Sequence, residues 1–124
     1  MGATDGAAAE RLSVRRLYDS WEWKMPNIVR VFRATVKTGK EEEFKSFFLE
    51  DAVPILRGHE GLVSVHVGLP REETPRDFMM MTTWSSVEAL AEFSGENWRE
   101  AVIDPREAHL LEETAVYHYY EALV

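Results

Sequence analysis

Asp77-Phe78-Met79-Met80-Met81-Thr82-Thr83-Trp84 is the stretch on which the fold turns. It holds no glycine or proline, and four consecutive residues, Phe78 to Met81, are apolar. A strand with one face in water alternates apolar with polar, whereas one covered on both faces need not. Asn27 to Val36 reads the same way, with Ile28-Val29 and Val31-Phe32 putting apolar groups on both sides. Packing helices on one face of such strands leaves a second apolar face, larger than a monomer usually exposes. A second copy of the chain, sheet against sheet, is the economical cover, so a homodimer is expected.

The elements around these strands follow from local signals. After the strand at 27–36, Lys37-Thr38-Gly39-Lys40 is a turn, and Thr38 with Glu41 three residues on has the spacing of a capping box. Glu41, Glu42 and Glu43 suit a helix N-terminus electrostatically and need no functional explanation. Phe44, Phe47, Phe48, Ala52 and Ile55 recur at helical spacing and predict the buried face, with a kink at Pro54. Leu62 to Leu69 is a second strand and Asp77 to Trp84 a third, joined by a charged loop. Ser85 with Glu88 repeats the capping pattern and opens a second helix through Val87, Leu90 and Ala91, its stripe extended past Gly95 by Trp98, Ala101 and Val102. Asp104-Pro105-Arg106-Glu107 supplies a third start signal, for a short helix through Leu110 and Leu111. Thr114 to Leu123 is a final strand rich in aromatics. The order β-α-β-β-α-β predicts an α+β, ferredoxin-like domain with an antiparallel sheet and both helices on one face.

Composition narrows the function classes. The 124 residues suffice for one domain, read here as 26–124, preceded by an extension at 1–25 that is flexible or partly helical. Arg11 to Trp23 has the spacing of an amphipathic helix, and Met25 stands where an alternative start would fall. A net charge of −8 argues against nucleic acid as a partner. No apolar run is long enough to cross a membrane. With no cysteine and no visible secretory signal, a cytoplasmic location is expected.

Two stretches carry a family resemblance: Val31-Phe32-Arg33-Ala34-Thr35-Val36-Lys37 followed by Gly39-Lys40-Glu41-Glu42-Glu43-Phe44, and Phe78 through Thr83-Trp84-Ser85-Ser86-Val87-Glu88-Ala89-Leu90. Over about residues 27 to 122 the chain resembles the antibiotic biosynthesis monooxygenase family of dimeric α+β barrels. That likeness implies a homodimer whose sheets face each other and a pocket between sheet and helices in each protomer. It further implies a cofactor-independent monooxygenase acting on a small aromatic or quinone-like substrate. A non-catalytic dimeric barrel, binding a hydrophobic ligand or serving a stress response, is the alternative. The family's haem-degrading branch relies on an Asn, a Trp and a His at positions that here align with Phe32, Phe93 and Val102. Valine cannot ligate iron, so haem degradation is the least favoured reading.

Candidate site residues divide by strand parity. His66 shares a face with Leu62, Ser64 and Gly68, opposite Val63, Val65 and Val67, so it is expected to point between the two sheets. There it is either a hydrogen-bonded histidine at the dimer seam or, in the catalytic reading, the proton acceptor, because imidazole titrates near neutrality. His118, beside Val116 and Tyr120, is its counterpart on the last strand. Phe32, Met80, Phe93 and Trp98 are expected to bind the substrate ring, or else to be plain core. One of Arg30 and Arg33 must be directed inward and need an anion or a carbonyl there. His109, with Glu112 and Glu113, lacks the ligand spacing of a metal site, so neither metal nor cofactor is expected.

Overall fold

The structure, a computed structural model, describes residues 26–122 and 124. The helix expected at Arg11 to Trp23 and the role of Met25 lie outside the described residues. Four strands, β1 (Ile28–Val36), β2 (Leu62–Gly68), β3 (Asp77–Trp84) and β4 (Leu111–Tyr120), form one antiparallel sheet in the order β2-β3-β1-β4. Helices α1 (Glu41–Phe47), α2 (Val53–Arg57) and α3 (Val87–Ser94) complete the ferredoxin-like α+β order.

In β1 every second residue is buried: Ile28, Arg30, Phe32, Ala34 and Val36. Their face receives the helices, and the ring of Phe44 lies 4.9 Å from those of both Phe48 and Phe78. The opposite face carries Val29, Val31, Met79 and Met81, partly covered, with Tyr117 and Tyr119 exposed on β4. Among the described residues nothing packs across it as the helices do on the other side, and no helix is long and apolar enough to span a membrane.

The first helical region departs from its expected face. Phe48–Ala52 is a π-helical segment between α1 and α2. Its wider turn removes the clash that the Pro54 ring makes with the carbonyl four residues back in a regular helix. The extra residue also rotates everything after it by about 100°. The inward position therefore moves from Ile55, 48% exposed, to Leu56, 4% exposed.

Helix starts are displaced for similar local reasons. Thr38 makes no cap: Gly39 takes φ 87°, α1 begins at Glu41, and no side chain caps it. Ser85 stays tied to the sheet, its N–H donating to the Gly61 carbonyl at 2.9 Å, so Ser86 caps α3 by accepting from the Ala89 N–H. Gly95, at φ 84°, ends α3, and residues 96–103 form no helix despite the continuing apolar stripe. The start signal at Asp104 yields a turn and a 3-10 helix, Ala108–Leu110, with Leu111 already in β4. A bulge between Leu62 and Ser64 turns Val63 out to 55% exposure while Leu62, Val65 and Val67 pack on the core.

Candidate functional site

Phe32, Met80, Arg30 and Thr82, from two rows of cross-strand neighbours, build the floor of a cavity between sheet and helices, and Val116 and His118 continue those rows beyond it. Met80, Phe32 and Val116 form one row; Thr82, Arg30 and His118 form the next. Because side chains on one face of adjacent strands stand about 5 Å apart, each row is a continuous strip. Phe47, Phe48, Ala52 and Leu56 close the cavity from the helical side, and Phe93 closes it from the end of α3. Ile55 and Val102, both substantially exposed, flank its mouth. The cavity is partly open to solvent and has a volume of about 130 Å³. An apolar cavity of about 150 Å³ holds a benzene molecule, so the space suits one six-membered ring.

Three ionisable side chains interrupt the apolar lining: Arg30, Asp104 and Glu107. Arg30 is 4% exposed. Its Nη1 donates to the Trp98 carbonyl at 2.5 Å and stands 2.8 Å from His118 Nε2, while its Nη2 donates to the Glu100 carbonyl at 2.8 Å. All three partners are uncharged acceptors. Burial lowers the arginine pKa to about 10, which still leaves it cationic. Through the Trp98 and Glu100 carbonyls the guanidinium anchors residues 96–103, which are not helical.

The two carboxylates are driven apart. Asp104 is held below the usual carboxylate range by the Arg106 guanidinium and its backbone N–H, with Oδ1 accepting from that N–H at 2.8 Å. Glu107, 6% exposed, is pushed up by burial, against the backbone bond it accepts from Asp104 at 3.0 Å. Asp104 and Glu107 thus cap this turn, Glu107 accepting from the Asp104 N–H as in a capping box while Asp104 accepts from the Arg106 N–H instead of the Glu107 N–H. Arg106 ties the turn to the helical side, 3.8 Å from Asp51 and over the Phe47 ring. Neighbouring carboxylates with opposed pKa shifts are a pattern found where one acid stays ionised and the other handles protons.

Of the expected site residues, Phe32, Met80 and Phe93 line the cavity. Phe93 also stacks on Trp84 at 5.3 Å. Trp98 is not among the lining residues; its ring meets His118 edge-on at 4.9 Å, and its carbonyl fixes Arg30. His66 is exposed and pairs with Met81, which puts it on the sheet face away from the cavity. Arg33 also faces that side, paired with Asp77 at 2.5 Å. His109 sits 3.4 Å from Glu43, and no group of three potential metal ligands occurs among the described residues. Phe32, Phe93 and Val102, the positions aligned with the haem-degrading triad, all line this one cavity, and none carries an imidazole.

Sequence reasoning did not single out Glu107, whose local job as a cap hides its place in the cavity wall. The inward choice between Arg30 and Arg33 had a signal in parity. Arg30 alternates with Ile28, Phe32 and Ala34, the larger apolar set once Val36 is added.

The profile of the antibiotic biosynthesis monooxygenase family matches residues 27–102, well over half of the chain. No curated protein matches. Among solved structures, a Shewanella oneidensis protein is similar at a TM-score of 0.65 and 21% identity, over 77% of this chain and 91% of that one. A Pseudomonas aeruginosa protein gives 0.65 and 17%, over 81% and 98%. A Bordetella bronchiseptica protein provisionally assigned as an antibiotic biosynthesis monooxygenase gives 0.57 and 20%, over 80% and 100%. At such identities these likenesses concern the fold.

Proposed function

The chain belongs to the antibiotic biosynthesis monooxygenase family, and on that premise we propose that it is a cofactor-independent monooxygenase acting on a small aromatic or quinone-like molecule. The substrate ring sits in the cavity between sheet and helices, against Phe32, Met80 and Phe93. The observation that carries this reading is a ring-sized apolar cavity interrupted by a buried guanidinium bonded to uncharged acceptors. Sites of this kind, mostly apolar with a few convergent polar groups, are the usual form of a small-molecule pocket.

The reaction balances without a bound cofactor. A hydroquinone and dioxygen give a hydroxyquinone and water, with every electron supplied by the substrate. One oxygen atom enters the ring and the other leaves as water. The protein's part is to hold the ring, exclude bulk water and favour the ionised, electron-rich form that reacts with oxygen. His66, on the far side of the sheet, takes no part in this scheme; it is within reach only of a molecule held between two facing sheets.

The same proposal includes a homodimer. Val29, Val31, Met79, Met81, Tyr117 and Tyr119 make the uncovered face too apolar to be left in water. Oxygen uptake with a panel of substituted hydroquinones, matched against hydroxyquinone formed, tests the catalytic claim. Uptake matching the product one for one supports it, and no uptake above the protein-free control with any member sinks it.

A further inference from the structure

We propose that residues 96–103 are a movable strap at the mouth of the cavity, latched to the sheet by Arg30 and released when His118 is protonated. The strap governs entry whatever reaction the cavity serves.

This segment is held differently from the rest of the cavity wall. It starts at Gly95, whose φ of 84° is a left-handed conformation that other residues rarely adopt. It ends at the Asp104 turn, which Arg106 ties to the helical side. Between those ends it is neither helix nor strand. Among the described residues, its only hydrogen bonds to the rest of the domain are the two that Arg30 donates to the Trp98 and Glu100 carbonyls. Trp98, Ala101 and Ile103 are half-buried against the core, and the other residues of the segment are exposed. Few bonds to the core and little buried apolar surface are what local opening at low free energy requires. Val102 flanks the mouth, so a strap that lifts widens it.

His118 is the trigger because it touches both latch and strap. Its Nε2 accepts from Arg30 Nη1 at 2.8 Å, and its ring meets the Trp98 ring edge-on at 4.9 Å. A protonated imidazole has no lone pair for that bond. It also sets a new cation against Arg30 from β1 and against Arg99, which lies over the Trp98 ring on the strap. Of the carboxylates on this side, Glu100 is exposed and meets Arg30 through its carbonyl, while Asp104 is bonded to Arg106 and Glu107 to the Asp104 N–H. Burial and the two cations favour the neutral ring while the strap is closed. An open strap returns the ring to water, so falling pH favours the open form, from about pH 6.5 downward.

Fluorobenzene, followed by fluorine NMR, is the probe, because it is neutral at every pH and matches the cavity in size. The full-length protein is taken from about pH 8 to about pH 5, and amide exchange is corrected for its intrinsic pH dependence. Opening across residues 96–103 is expected to become at least about tenfold more populated in acid. Exchange of fluorobenzene in and out of the cavity should speed up by a similar factor, while β1 amides gain far less. H118Q keeps an acceptor for Arg30 and cannot titrate, so strap and probe should both lose the response. R30M is expected to show, at about pH 8, the open strap that the wild type shows in acid. The inference is overturned by a wild type with no acid response, by an H118Q that retains it, or by an R30M strap as closed as the wild type. It is equally overturned if β1 amides rise as much as the strap, or if probe exchange stays constant while the strap opens. Should R30M fail to fold, the wild type and H118Q decide between these outcomes.

Discussion

Arg30 Nη1 stands 2.8 Å from His118 Nε2. A guanidinium only donates, so Nε2 accepts and the ring is neutral with its proton on Nδ1. Burial first, then the charges of Arg30 and Arg99, hold His118 below the usual histidine range. The pair links β1 to β4 and, through the carbonyls of Trp98 and Glu100, fixes the segment that leads into the cavity wall.

A pH effect on stability follows. His118 titrates near pH ~6.5 in the unfolded chain and lower in the folded one. As the pH falls below that unfolded value the unfolded chain binds the extra proton first. Stability therefore drops through the window between the two values and then levels off. His118→Gln can keep an acceptor for Arg30 and cannot titrate. Urea midpoints of wild type and variant, taken at about pH 8 and about pH 5, should show a smaller acid loss in the variant. Equal losses would mean that His118 is not the group responsible.

Arg30→Met removes the donor shared by two carbonyls and an imidazole. A loss of about 2–3 kcal/mol in unfolding free energy is expected, with faster amide exchange across residues 96–103. Arg30→Lys should recover little of it, because one ammonium cannot reproduce the planar fork that reaches both carbonyls. Full recovery by lysine would show that charge alone matters.

The fold was legible where periodicity and turn chemistry agree. The span of β3 came out residue for residue, and the element order with it. The exceptions have particular causes. Ile55 and Leu56 exchanged places because a π segment is invisible to a fixed helical period. Residues 96–103 carry a helical stripe, yet α3 ends at Gly95, at φ 84°, and Arg30, distant in sequence, anchors the segment through two carbonyls. Val63 turned out because a bulge offsets parity by one residue. The cavity was partly legible: Phe32, Met80 and Phe93 line it, Trp98 does not, Phe47 and Phe48 were read only as the buried face of a helix, and Glu107 was hidden because a capping residue looks the same whether or not a cavity lies beside it.

Thr82 Oγ1 accepts from the buried Trp84 indole N–H at 2.9 Å. Thr82→Val keeps the shape and leaves that N–H without its acceptor. The cost should be about 1–3 kcal/mol, read from chemical denaturation. A neutral substitution would show that the indole finds another partner.

Gly61 brings β2 against α3: a Cβ there would lie 2.2 Å from that of Ala89. Gly61→Ala should destabilise by about 1–3 kcal/mol, and Ala89→Gly in the same chain should return part of that loss. Strictly additive effects of the two substitutions would place the cost elsewhere.

The proposed homodimer is expected to depend on Met81, which lies opposite Val31 on the uncovered face. Met81→Glu should give a folded monomer by sedimentation velocity, with circular dichroism unchanged. A wild type that sediments as a monomer at high concentration would remove the dimer from the account.

The central claim is that chemistry happens in the cavity, and filling the cavity tests it most directly. Ala52 lines it from the helical side and is half-buried, so Ala52→Leu adds bulk there without touching Arg30, Glu107 or the uncovered sheet face. Oxygen uptake with the best hydroquinone of the panel should fall at least about tenfold in this variant, while the urea midpoint and the sedimentation coefficient stay near those of the wild type. An unchanged rate in a protein whose cavity is filled would contradict it.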